Sequence, residues 1–130
     1  MGAIRHVTET HPKRIFVIED DADVRSSTRL FLETLGYAVT EFDCAEALLA
    51  GDEARLADCL VMDYQLSGLS GLDLLEVLRA RGCTAPAIFV SGNGFRLQSR
   101  TAQLGVVAVL RKPLAADALS QWLEQIFSAS

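Results

Sequence analysis

Ile15-Phe16-Val17-Ile18 runs directly into Glu19-Asp20-Asp21. An apolar, strand-like run that ends in a polar group recurs three times further along the chain. Cys59-Leu60-Val61-Met62 meets Asp63, Ala87-Ile88-Phe89-Val90 meets Ser91-Gly92, and Val106 to Leu110 is followed one residue later by Lys112-Pro113. In a parallel α/β sheet, ligands bind outside the carboxyl ends of the strands. If the four runs are neighbouring strands, three carboxylates (Glu19, Asp20 and Asp63), a hydroxyl (Ser91) and an ammonium (Lys112) meet at one end of one sheet. Such a set can hold a divalent cation and a phosphoryl group together.

The segments between these runs read as helices. Val24, Thr28, Phe31 and Leu35 recur at helical spacing and Gly36 stops the helix. Ala38 to Phe42 alternates as an edge strand does. Asp43 and Glu46 have the spacing of a capping box before Ala47-Leu48-Leu49. Leu72, Leu75 and Leu78 mark a third helix with Gly82 just past its end. Asn93-Gly94-Phe95 opens a fourth that reaches about Leu104, and Ala115, Leu119, Trp122 and Ile126 share one face of the last. A strand-helix unit repeated five times predicts a parallel sheet with helices on both faces and right-handed crossovers.

Composition sets the outer bounds. At 130 residues, half of them apolar, the chain has the length of one domain with a real core. A formal charge of −5 argues against direct nucleic-acid binding by this chain, because phosphate backbones repel it. Cys44, Cys59 and Cys83 show no paired spacing; Cys44 and Cys59 lie in apolar patterns, which predicts buried, reduced thiols and a reducing compartment. No apolar stretch approaches the ~20 residues of a membrane span, and no apolar signal core opens the chain. Met1-Gly2 resembles a myristoylation start, but His6 stands where Ser or Thr is needed. A soluble, cytoplasmic protein without membrane contact is expected. Residues 1–13, with Pro12 and the unpartnered His6 and His11, read as a mobile tail, and 14–130 as the domain.

Chemistry narrows the site. Two carboxylates ~5 Å apart repel by about 3 kcal/mol at an effective dielectric near 20. A cluster of Glu19, Asp20 and Asp63 must therefore take up a proton or a cation. Mg²⁺ typically takes one or two carboxylates together with waters and phosphate oxygens. Asp21, just before the first helix, reads instead as a helix cap. Lys112, after a buried strand, would point across the sheet end and bridge a carboxylate and a phosphoryl oxygen. Ser91 would donate to a phosphoryl oxygen. An ionised aspartate can attack phosphorus directly and form an acyl phosphate, so no catalytic His or Cys is needed.

With these residues in order, the chain resembles the receiver domains of bacterial two-component response regulators. The matching stretches are Val17-Ile18-Glu19-Asp20-Asp21, Val61-Met62-Asp63, Ser67-Gly68-Leu69-Ser70-Gly71, Val90-Ser91-Gly92 and Lys112-Pro113, within Arg14 to Phe127. Separations of 43 residues from Asp20 to Asp63, 28 to Ser91 and 21 to Lys112 make the set specific. The resemblance implies a flavodoxin-like doubly wound fold with strand order 2-1-3-4-5. It makes Asp63 the phosphoacceptor, Asp20 a direct Mg²⁺ ligand and Glu19 a ligand through water. It assigns the backbone carbonyl of Gln65 to the metal, Ser91 as the switch hydroxyl and Lys112 as the phosphoryl-binding lysine. It also implies a cis Lys112-Pro113 bond. The donor would be a histidine kinase or a histidine phosphotransfer protein. A downstream protein or output domain would read the face of the fourth helix, fifth strand and fifth helix.

Three departures stand out. Leu66-Ser67 replaces the family's usual Met-Pro, Asn93-Gly94 is unusually flexible for the loop after the switch serine, and Val109 occupies the place of the usual Tyr or Phe. Transmission is therefore expected to use Ser91 and the Asn93-Gly94-Phe95 segment. The sequence is compatible with a stand-alone receiver or with the amino-terminal part of a transcription regulator. Rival readings are a degenerate receiver acting only as a binding module, a Mg²⁺-dependent phosphatase with an Asp nucleophile, and a flavin-binding protein. Intact Asp20, Asp63, Ser91 and Lys112 oppose the first. Gln65, where the phosphatase needs a second Asp, opposes the second, and Glu19-Asp20-Asp21 in place of a phosphate-binding loop opposes the third.

Overall fold

The structure, a computed structural model, describes residues 11–92 and 98–128. Five strands, β1 (Arg14–Ile18), β2 (Ala38–Phe42), β3 (Cys59–Asp63), β4 (Ala87–Ser91) and β5 (Val106–Arg111), form one sheet in the order β2-β1-β3-β4-β5. Every neighbouring pair is parallel. Between and after them lie α1 (Ala22–Thr34), α2 (Ala45–Leu49), α3 (Gly71–Ala80), α4 (Ser99–Gln103) and α5 (Ala116–Ser128), with a 3₁₀ turn at Glu53–Leu56. The expected fold class and strand order are thus observed.

Successive strand residues point to opposite faces, and the core divides accordingly. Ile15 and Val17 join Val61, Ile88, Val90, Leu32, Leu119 and Leu123 on the face covered by α1 and α5. Phe16 and Ile18 join Leu60, Met62, Phe89, Leu48, Leu74 and Leu75 under α2 and α3. Both faces are covered, so β3 and β4 are buried along their whole length. That is why these strands read as continuous apolar runs instead of alternating.

Several local expectations shift in register. The buried contact of α1 is made by Leu32, while Leu35 is 43% exposed. The helix ends at Thr34, so Leu35 is its C-cap and falls off the packed face, before Gly36 turns the chain at φ +94°. Cys44, not Asp43, caps α2: its Sγ accepts from the Ala47 amide. A capping box counts from the cap to the third helical residue, and with α2 starting at Ala45 the Asp43–Glu46 pair is one residue out of step. Cys44 is consequently half-buried, whereas Cys59 and Cys83 are buried. Leu74 joins Leu75 and Leu78 as the buried face of α3, with Leu72 partly covered. Leu123 joins Leu119 in α5, with Trp122 and Ile126 partly buried. The expectations for the start of the fourth helix at Asn93-Gly94-Phe95, and for His6 and most of the tail, fall outside the described residues.

One glycine shapes the site from below. Gly71 opens α3 where a Cβ would lie 2.8 Å from the carbonyl oxygen of Asp63 and 3.0 Å from the Cα of Tyr64. Both neighbours are backbone, so neither can swing aside. Gly71→Ala should therefore displace the end of β3 and lower stability by about 1–3 kcal/mol, as overpacking does. Thermal unfolding checks this; an unchanged Tm would show that the loop yields freely.

Candidate functional site

The sheet register brings the polar ends together. Ile18 pairs with Met62 between β1 and β3, so Glu19 and Asp63 follow on the next rung. Asp63 pairs with Val90 of β4, which places Ser91 one residue further on. Lys112 continues the ladder past β5, its amide donating to the Ser91 carbonyl at 3.1 Å. The Lys112-Pro113 bond is cis, as the resemblance implied.

Lys112 Nζ lies 2.7 Å from Asp63 Oδ2 and 3.2 Å from Glu19 Oε1. Asp63 Oδ1 accepts from the Gln65 amide at 3.0 Å, and Glu19 Oε2 accepts from the Asp21 amide at 3.1 Å. Both carboxylates are buried, while Asp20 is exposed. One carboxylate oxygen from each of Glu19, Asp20 and Asp63 lies within 4.8 Å of the other two. Three hard oxygen donors at this spacing suit Mg²⁺ or a similar ion and have no soft ligand that would favour zinc or copper.

Burial pushes the Glu19 carboxyl above its ordinary range, and the charge of Asp63 adds to this; the Asp21 amide and Lys112 only partly compensate. Burial pulls the Lys112 ammonium down, but its hydrogen bond to Asp63 and the charges of Glu19 and Asp63 outweigh that and hold it above the usual lysine value. Lys112 is thus fixed as a cation beside a cluster that carries more negative charge than it can offset.

The structure sorts the predicted residues. Glu19, Asp20, Asp63 and Lys112 converge, and Ser91 is buried at the adjoining strand end. Gln65 is brought to Asp63 by its amide and forms an isolated bridge with Ser70. Asp21 is the N-cap of α1, accepting from the amides of Asp23 and Val24 at 2.9 and 3.0 Å. Two further contacts escaped the sequence reading. Ser67 Oγ donates to Asp20 Oδ2 at 3.4 Å, at one of the positions where the chain departs from the family pattern. Arg25 Nη1 donates to the Glu19 carbonyl at 2.8 Å, a link that no local motif signals. Beside Lys112, a cleft of about 670 Å³ opens between α1 and the start of α5, lined by Val24, Thr28, Phe31, Pro113, Leu114 and Leu119 among others.

Comparisons with known proteins agree with this geometry. The family model for the response regulator receiver domain matches residues 15–124. The transcriptional regulatory protein FixJ of Bradyrhizobium diazoefficiens is 35% identical over 111 residues, covering 85% of this chain and 54% of FixJ. The chain therefore spans about half the length of that relative. The solved response regulator StyR superposes with a TM-score of 0.80 at 33% identity, over 88% of this chain and 58% of that one. At 18% identity, the receiver domain of a LuxO-type repressor from Vibrio parahaemolyticus shares the fold, with a TM-score of 0.80 over 91% of this chain and 92% of that one. Sheet order, converging carboxylates and matched sequence lead to one conclusion: the chain belongs to the response regulator receiver domain family of two-component signalling.

Proposed function

We propose that Asp63 accepts a phosphoryl group from a phosphohistidine on a histidine kinase or phosphotransfer protein, in a reaction that requires Mg²⁺. The observation that carries this reading is the 2.7 Å contact between Lys112 Nζ and Asp63 Oδ2 inside the acidic cluster. Asp63 forms the new oxygen–phosphorus bond, the phosphorus–nitrogen bond to the donor breaks, and the electron pair leaves with the donor imidazole. Asp63 is held in place by the Gln65 amide and Lys112. Lys112 then shifts its charge toward the transferred oxygens, where positioning and neutralisation do most of the catalytic work. Glu19, Asp20 and Asp63, with the Gln65 carbonyl, would hold Mg²⁺, which when bound supplies further positive charge to the phosphoryl oxygens. Ser91 would take one of those oxygens as the switch hydroxyl.

The donor must bring its histidine to the end of β3, and an apolar cleft opens beside Lys112. The expectation of no direct nucleic-acid contact extends only to these 130 residues. FixJ is named a transcriptional regulator and the match covers 54% of it, so an output that contacts DNA in the whole protein is consistent with this reading. Among the described residues no helix is long and apolar enough to cross a membrane. A cytoplasmic location remains part of the proposal.

Val109 is partly buried, packs against the core and pairs with Phe89. A β-branched side chain has few rotamers, so Val109 is a poor carrier of the signal. α4 is short and is held to α3 by Arg79 Nε on the Leu104 carbonyl and by the Arg100–Glu76 ion pair. We infer that phosphorylation acts through Ser91 on the segment leading into α4, and through it on the face of α4, β5 and α5.

Three outcomes are expected. Radiolabel from a phosphohistidine donor should reach the unmodified chain with Mg²⁺ and be lost with Asp63→Asn or excess chelator; stoichiometric labelling of Asp63→Asn would refute the assignment. A carboxyl whose folded pKa is raised makes the folded state bind its proton more tightly than the unfolded state. Its ionisation therefore lowers stability as pH rises from the unfolded value of 4.5 through the folded pKa. In chelator, Glu19→Gln should accordingly melt a few degrees above the unmodified chain at neutral pH, with the gap closing as pH falls toward 4.5. A variant that melts lower at neutral pH would mean that Glu19 is net stabilising. On addition of a beryllium fluoride mimic, amide exchange should change mostly across Gly92 to Leu104 and little around Val109; the reverse pattern would place the switch in β5.

A further inference from the structure

Arg25 is distant in sequence from Asp63 and Lys112, yet it reaches the backbone that carries the acidic cluster. Its Nη1 donates to the Glu19 carbonyl at 2.8 Å while its Nε donates to Glu41 Oε1 at 3.1 Å. Glu41 belongs to the edge strand β2, and its other oxygen lies 2.8 Å from Arg29 Nε, one helical turn along α1, without hydrogen-bond geometry. The Arg25 side chain is 18% exposed and that of Arg29 40%.

The Glu19 carbonyl belongs to the peptide unit that carries Asp20. That unit is planar, so its oxygen, its nitrogen and both flanking Cα atoms turn together. Fixing the carbonyl oxygen fixes where the Asp20 Cα sits and the N–Cα axis about which its side chain can turn. Asp20 has little else to hold it, being exposed with a 3.4 Å contact to Ser67. We propose that Arg25 is a positioning residue that orients the Glu19–Asp20 peptide, and so the Asp20 carboxylate, for cation binding. This rests on the reading of the cluster as a cation site. Glu41 has a definite part: it anchors one side of the guanidinium so that the other side faces the carbonyl, a use of the rigid fork that a lysine cannot reproduce.

A merely structural role predicts something different. If Arg25 only fastened α1 to β2, Arg29 would be its equivalent, because both meet Glu41. Only Arg25 also reaches Glu19. The test is Mg²⁺ titration of the full chain by calorimetry, with thermal unfolding recorded in chelator. Arg25→Lys keeps a cation beside Glu41 but ends one bond short of the carbonyl. It should therefore melt close to the unmodified chain while its Mg²⁺ Kd rises about tenfold, the lower end of what outer ligand supports are worth. Arg29→Ala should lose stability yet keep its Kd within about twofold, since it touches no part of the cluster. Arg25→Gln, which removes both fork and charge, gives a second reading and should weaken binding at least as much as Arg25→Lys. Unchanged Kd in both Arg25 variants, or an equal loss in Arg29→Ala, overturns the proposal. An unmodified chain that binds no Mg²⁺ overturns the cation-site reading itself and the role of Arg25 with it; that outcome is told apart because it appears before any substitution is made.

Discussion

The ion pair between Lys112 and Asp63 spans the end of the sheet. Lys112 follows β5 and Asp63 ends β3, so the lysine reaches over the end of β4, where Ser91 sits, and on to Glu19 beyond β1. Asp63 is buried and Lys112 only partly exposed, so their attraction must first offset the cost of taking the carboxylate out of water, and the pair is a weak source of net stability. Its importance is therefore positional. It sets the charge balance at the point where strands from both sides of the sheet converge. The carboxylates of Glu19, Asp20 and Asp63 outnumber the one ammonium among them, a balance that suits a divalent cation.

That convergence follows from topology. Parallel strands put all their carboxyl ends on one edge, and the order β2-β1-β3-β4-β5 makes β1 and β3 neighbours although α1, β2 and α2 intervene in the chain. Gly71 lets the first turn of α3 press against the Asp63 backbone, and Arg25 holds the Glu19 carbonyl from the opposite side. The acidic pair is thus fixed through its backbone as well as its side chains, which leaves the exposed edge at Asp20 as the open side.

Much of this was legible in the sequence because burial on both faces writes parallel strands as unbroken apolar runs. Glu19, Asp20, Asp63, Ser91 and Lys112 could be placed by counting from the ends of those runs. Helix details were less legible. The placement of Leu35 and the Asp43 cap depended on helix ends, where one residue decides which side chain packs. The split of thiols was misjudged for the same reason, since Cys44 serves as a cap while Cys83, beyond α3, is buried with its Sγ on the Ala54 carbonyl. The links of Arg25 to Glu41 and Glu19 join a helix to an edge strand and a strand end, and no periodicity records a contact that depends on how α1 lies across the sheet.

The proposed chemistry requires the acidic cluster to be a cation site built around Asp63. Crystals soaked in Mn²⁺, as a visible substitute for Mg²⁺, would test this most directly through the anomalous difference density. A single strong peak is expected within coordinating distance of the carboxylates of Asp20 and Asp63, on the side of Asp63 away from Lys112. Density elsewhere, or an ordered site with no peak at saturating Mn²⁺, would contradict it.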